Sequence, residues 1–347
     1  MTAPRLATNA RDASKTSRNK WVVLGACFAV NFISSALFRN AALFYPSIMD
    51  TFLVTRERAA LPLFVYGGCF HLGALLGGTV IQVLTVWAAA VAGGLLLSAT
   101  FIASSFANGT AFLTAVLGVL GGTGQGIIFN CSVVGLADYF SSRRGLALGV
   151  VMTGAPAASF IFPPIFDHAL ELYGLRVIVD YSADSGVAQS DAVHILSFFS
   201  VTDALCRLVI PLLSDCKVLS TTVLLAGSYL LVSVLAGGLA FLKGKIGFWI
   251  VALALGLPCG YINVGLSESL SAIAGAENLP MAIGFMSAAA AVGSFTTPSL
   301  IGLFRDIYGS YDDLFFIMAG ALMVAFGLFA VLLVISLTRS KKVTVSR

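Results

Sequence analysis

DAVHILSFFSVTDALCRLVIPLLSD, residues 191–215, decides how the rest of the chain is read. A bilayer span needs about 20 consecutive, mostly apolar residues, and this stretch has that length and composition. Yet Asp203 and Arg207 sit near its middle, where a charge costs roughly 2.5–3.5 kcal/mol on insertion scales. Their i, i+4 spacing puts both side chains on one helix face, close enough to pair. Intramembrane charges face a bundle interior or a wet cavity, and by default they mark a transport pathway. The alternative is a structural ion pair that locks two helices together.

The composition of the whole chain points the same way. Of 347 residues, 58% are hydrophobic and 10% are charged, against about 25% charged in soluble domains. Between Ala59 and Ala137 there is no Asp, Glu, Lys or Arg. These figures specify an all-α polytopic membrane protein. The net charge of +4 is modest, and the basic residues gather largely at the two ends, which argues against a nucleic-acid partner. The six cysteines fall in or beside apolar runs without paired spacing, as small packing residues do. His71 and His194 lie within spans and have no carboxylate or thiol at ligand spacing. No metal site or cofactor is expected. No phosphate-cradling loop or nucleophile constellation is present in the sequence, so the chain is not expected to be an enzyme.

Ten spans are predicted, at 21–45, 60–82, 86–106, 110–134, 145–166, 192–213, 219–241, 246–268, 280–303 and 314–337. The basic stretch 1–20 and the basic tail 338–347 place both termini in the cytoplasm by the positive-inside rule, which requires an even number of spans. The chain then divides into a five-span bundle at 21–166, an extracellular connection at 167–191 and a second five-span bundle at 192–337. Arg143 and Arg144 fall inside as the rule asks; Arg56, Arg58, Lys243 and Lys245 fall outside, against it. Glu268 and Glu277 flank an inner loop and are expected to be solvated. Small residues four apart, at Gly73–Gly77, Gly118–Gly122, Gly145–Gly149 and Gly256–Gly260, suit close helix contact in lipid. Pro156, Pro163, Pro164, Pro211, Pro258 and Pro298 imply kinks inside or at the ends of spans.

Three segments carry a family resemblance. Tyr139-Phe140-Ser141-Ser142-Arg143-Arg144-Gly145-Leu146-Ala147-Leu148-Gly149, followed by Gly154 and Pro163-Pro164, resembles the fifth-helix signature of the monocarboxylate transporters of the major facilitator superfamily. Thr202-Asp203-Ala204-Leu205-Cys206-Arg207 is similar to that family's eighth-helix Asp-x-x-x-Arg. Gly284, Gly293, Pro298, Gly302, Asp306 and Gly309-Ser310-Tyr311 resemble its eleventh helix and following loop. The resemblance implies a major-facilitator-type bundle of twelve helices, so the sixth and seventh are missing here. Tyr173-Gly174-Leu175-Arg176 resembles the start of that sixth helix, and Val179-Asp180-Tyr181 the outer end of the seventh. The superfamily's charged loop after the second helix is replaced by Gln82-Val83-Leu84-Thr85-Val86-Trp87, while Asp215 and Lys217 keep a fragment of the matching loop in the second half.

For function, the resemblance implies a solute carrier for small organic anions. A guanidinium binds a carboxylate with two parallel hydrogen bonds, which makes Arg207 the substrate-binding candidate. Asp203 then holds Arg207 between substrates and is the candidate for proton coupling, that is, for symport. Arg39 stands where proton-coupled relatives carry a lysine. It lies about 27 Å along a straight helix from Trp21, near the outer mouth, where it either attracts anions or snorkels to the interface. Asn130, Tyr261 and Asn263 are further substrate-binding candidates, with interhelical hydrogen bonding as the alternative. Arg143, Arg144 and Asp215 are candidates for a conformational loop. Two functions remain open. One is alternating-access transport of small monocarboxylates or related organic anions at the plasma membrane, with or without protons, and with an accessory single-span membrane protein where the resemblance extends that far. The other is a shortened form that does not transport, a truncated isoform or incomplete gene model that at most associates with full-length carriers.

The topology gives a first expected outcome. An epitope inserted at Ser185 should bind antibody on intact cells, whereas one appended after Arg347 should bind it only after permeabilisation. Staining of the tail on intact cells would make the span count odd.

Overall fold

The computed structural model describes residues 20–137, 139–140, 143–172, 189–239, 241, 245–306 and 312–345. Expectations that concern the N-terminal tail, the connection carrying Arg176, Asp180 and Ser185, Lys243 and the Gly309-Ser310-Tyr311 turn lie outside these residues. Among the described residues, all regular structure is helical. The first span is broken into three pieces: α1 (Lys20–Ser34), α2 (Ala36–Arg39) and α3 (Ala41–Phe52). Next come α4 (Arg56–Val83), α5 (Val86–Ser104) and α6 (Thr110–Leu113). A π-helical segment (Thr114–Gly121) then leads into α7 (Gly122–Ala137) and α8 (Arg144–Leu172). The remainder is α9 (Gln189–Asp215), α10 (Thr221–Leu239), α11 (Lys245–Asp306) and α12 (Asp312–Val345).

Eight helical segments among the described residues are long and apolar enough to cross a membrane. Two further expected crossings have a different character. The apolar part of α1 is shorter than the eight, and the chain continues across two kinks into α2 and α3. Helix α9 has the length, 27 residues, but carries Asp203 and Arg207 inside its apolar stretch. The uncharged turn expected at Gln82–Val86 is present. Thr85 is extended, and its hydroxyl accepts from the Ala88 amide at 3.2 Å, capping α5, as an N-cap threonine does. The turn between the eighth and ninth predicted spans is narrower than expected. Helix α11 runs through it and bends at one residue, Gly275 (φ 73°, ψ 170°), a conformation that a side chain would strain.

Two apolar cores hold the bundle. At one end Leu24, Val133, Leu148, Val151, Val264 and Ile283 bring α1, α7, α8 and both arms of α11 together. At the other, Ile48, Ala59, Tyr66, Leu113 and Leu117 join α3 and α4 to the region of the π segment. Helix α12 packs against α10, and its apolar stretch Phe315–Ile335 is otherwise open to lipid, with none of it buried.

The glycine pairs explain how α9 is placed. It lies against α8 on one side and α11 on the other. A methyl group on Gly149 would collide with the Arg207 carbonyl oxygen, and one on Gly145 would come within 3.2 Å of the Pro211 ring. From α11, a methyl on Gly260 would lie 2.7 Å from the Asp203 carboxylate, and one on Gly256 would lie 2.7 Å from the Phe199 carbonyl. The charged helix is therefore gripped between two glycine faces, which bring backbone rather than side chain against it. The Gly73–Gly77 and Gly118–Gly122 pairs seat α4 against α7 and the π segment in the same manner.

Gly149→Ala should push α8 off α9, with an overpacking cost of about 1–3 kcal/mol. Gly227→Ala adds its methyl in open space and serves as the matched control. Membrane abundance of folded protein should fall several-fold for the first and stay level for the second; equal abundance would mean that the α8–α9 contact is slack.

Candidate functional site

The three charged residues expected inside the bundle form one cluster. Asp203 and Arg207 pair within α9, Arg207 Nε donating to Oδ1 at 2.8 Å and Nη2 to Oδ2 at 3.1 Å. The remaining terminal nitrogen of Arg207 donates to the Met152 carbonyl of α8 at 3.1 Å. Arg39 then donates from Nη2 to Asp203 Oδ2 at 3.2 Å. One carboxylate is thus shared by two guanidiniums. Asp203 and Arg207 are closed off, with side chains 3% and 7% exposed, while Arg39 remains 28% exposed.

The sequence places Arg39 apart from the pair, at the outer mouth of a straight helix. In the structure the first span is interrupted at Ser35 and Asn40, and Arg39 reaches the pair from the short helix between them. Ser35 (φ −83°, ψ −8°) and Asn40 (φ −109°, ψ 20°) flatten the backbone on either side of the four-residue α2. The Asn40 amide nitrogen bonds to Leu37 O rather than Ala36 O, and the freed Ala36 carbonyl accepts from Asn40's own Nδ2 at 2.7 Å. The same Nδ2 lies 3.3 Å from Ala158 O of α8, which ties the second kink to a neighbouring helix. Neither kink contains proline or glycine. Arg39 is the third member of the Asp203 cluster.

The other candidates stand elsewhere. Asn130 is fully buried in α7 and donates to Ala74 O at 2.6 Å and Pro280 O at 3.0 Å, which uses both amide hydrogens to tie α4 to α11. Tyr261 is also fully buried. Asn263 is exposed on α11 and donates back to Cys259 O at 3.3 Å. The structure brings none of these three into hydrogen-bonding contact with the Asp203 cluster.

At the end of the bundle that carries Lys20, the loop candidates meet at helix termini. Asp215, the last residue of α9, accepts from the Gly145 and Leu146 amides at 3.3 and 2.9 Å. It thereby caps the N-terminus of α8, where unpaired N–H groups and the helix dipole favour an anion. Arg144 donates to Ala137 O at 2.9 Å, the last residue of α7, where a cation is favoured. Arg143 is exposed and left-handed (φ 58°). Glu268 departs from expectation. Its carboxylate is only partly exposed, accepts from Thr221 at 3.2 Å and Ser214 at 3.3 Å, and lies against Gly145. Two carboxylates from α9 and α11 therefore converge on the start of α8. The sequence offers no cue to Glu268, because its partners are hydroxyls on two other helices.

No family model matches the chain. Curated proteins do match it. Over 163 residues it is 33% identical to monocarboxylate transporter 11 of Homo sapiens, covering 45% of this chain and 33% of that protein. Over 156 residues it is 30% identical to monocarboxylate transporter 12 of Mus musculus, covering 45% and 32%. Monocarboxylate transporter 13 of Rattus norvegicus is 26% identical over 156 residues, covering 45% and 36%. The chain spans about a third of the length of the curated relatives it matches. Within that stretch it is similar to the monocarboxylate transporters.

Removal of the cap has a measurable cost. Asp215→Ala leaves the first amides of α8 unpaired and should lower stability by about 1–2 kcal/mol, seen as a lower midpoint in thermal unfolding of the purified protein. An unchanged midpoint would show that the capping bonds contribute nothing.

Proposed function

We propose that this chain carries small monocarboxylates or related organic anions across a membrane by alternating access, with Arg39 and Arg207 holding the substrate carboxylate. The observation that supports this most directly is the charge of the cluster. Two guanidiniums against one carboxylate leave one positive charge in a bundle interior. Unpaired intramembrane charge is costly, and a substrate monoanion would neutralise it. Arg39 is the accessible member, so an entering carboxylate meets it first and competes with Asp203 for its Nη2. Arg207 is held in orientation by its bond to Met152 O, so its fork is presented as Asp203 withdraws.

Proton coupling is part of the same proposal. Asp203 bonds both arginines while it is ionised. Proton binding would remove its charge, free both guanidiniums for substrate and carry a proton with the anion. Arg39 keeps its own charge throughout. The positive-inside rule places the end with Lys20, Arg143 and Arg144 in the cytoplasm. Asp215 and Glu268 then sit at the inner closure, and the plasma membrane is the proposed location.

The test combines surface abundance with uptake of radiolabelled pyruvate on the same cells. Arg207→Lys should fail almost as fully as Arg207→Ala, because an ammonium lacks the planar fork; a lost charge-assisted bond corresponds to about 10- to 100-fold weaker substrate binding. Arg39→Gln should weaken uptake at every pH. Asp203→Asn should keep abundance while abolishing pH-driven flux. If single variants lose abundance in proportion to uptake, the cluster is a structural brace, since stranding a buried charge costs about 3–5 kcal/mol. If the unmodified chain reaches the surface and takes up no monocarboxylate, the transport reading fails.

A further inference from the structure

We infer that Gln125 is a positioning residue for Arg39: the buried chain Tyr66–Gln125–Ser35 fixes the kinked segment that presents Arg39 to Asp203. This rests on the reading of Arg39 as an anion-holding residue and extends it to groups that touch no charge in the cluster. Gln125 is 3% exposed, and its amide is used at both ends. Tyr66, 1% exposed, donates its hydroxyl hydrogen to Gln125 Oε1, and Gln125 Nε2 donates to Ser35 Oγ at 3.3 Å. Ser35 is the first kink, and its carbonyl accepts the Arg39 backbone amide at 2.9 Å.

The same tyrosine holds the other end of the segment. Phe38, the residue before Arg39, stacks on the Tyr66 ring with centroids 5.6 Å apart and planes 23° from parallel. A methyl group on Gly67 would come within 3.2 Å of the Phe38 ring, so the residue after Tyr66 leaves that slot open. Both ends of Ala36–Arg39 therefore rest on one side chain, once through Gln125 and once directly. The π segment serves the same point. Such segments add a residue per turn and rotate the helix beyond them. This one ends at Gly121, which like Gly122 packs on Tyr66, four residues before Gln125. Two departures from regular helix, in the first span and in the fourth, thus meet at one buried hydrogen-bonded chain. Irregular backbone of this kind is retained where surrounding contacts over-determine it, and it clusters at functional sites.

The experiment uses the full chain in lipid nanodiscs for amide hydrogen exchange, and in cells for radiolabelled pyruvate uptake. Gln125→Leu and Ser35→Ala each break the link at Ser35, the second with minimal change of volume. Each should speed exchange at 36–39 about tenfold relative to α5, raise KM for pyruvate about 5- to 10-fold and leave Vmax within about twofold. In an Arg39→Gln background, Gln125→Leu should change KM no further. Unchanged exchange at 36–39 in both variants overturns the inference. An equal rise in KM without Arg39 also overturns it, since Gln125 would then act by another route. A fall in Vmax and abundance at constant KM marks a merely structural role and overturns it too. Unchanged uptake in Arg39→Gln alone would instead remove the anion-holding role of Arg39, a result separable from the exchange measurement.

Discussion

The buried charges of the bundle meet on a single carboxylate. Asp203 accepts from two guanidiniums that arrive from distant parts of the chain, and each packing feature around it serves that meeting. Glycines of α8 and α11 remove the side chains that would hold α9 at a distance. The helix breaks at Ser35 and Asn40 bracket α2, from which Arg39 reaches across. A desolvated carboxylate without partners would be too costly to keep, so the arginines and the glycine faces are needed together.

The polar groups of the first span illustrate how a membrane helix is bent without proline. Backbone carbonyls released at a kink have no water to bond in the hydrocarbon region and must be satisfied by neighbours. Asn40 does this with its own side chain, and Ser35 is held from outside through Gln125. The prolines in α8 and α9 sit inside continuous helices, so the obvious helix breakers are not where the first span is reshaped.

How legible each feature is in the sequence depends on its range. The Asp203–Arg207 pair is visible as a four-residue spacing, and the glycine pairs that grip α9 are visible in the same way, because both are local periodicities. The turn capped by Thr85 carries no charge to mark it, whereas the bend at Gly275 falls at a glycine in the expected inner loop. The approach of Arg39 is not legible, since Ser35 and Asn40 are ordinary residues whose kinks are set by partners on α7 and α8. Glu268 reads as solvated for a related reason: its hydroxyl partners come from α9 and α10. The fold class rests on composition and is plain; the connectivity of the polar network rests on tertiary contact and is not.

The four-residue spacing also bears on how α9 enters the bilayer during synthesis. Arg39 and Asp203 are 164 positions apart, and Gly256 and Gly260 are translated after α9 is complete. Before this helix docks on the segments already made, the contacts available to its charges are those within the helix itself. The Asp203–Arg207 pair closes across one turn, so it offsets part of the insertion cost before any neighbouring helix has docked. The local pair lets α9 partition into lipid, and Arg39 and the later glycines then convert an inserted helix into an assembled centre.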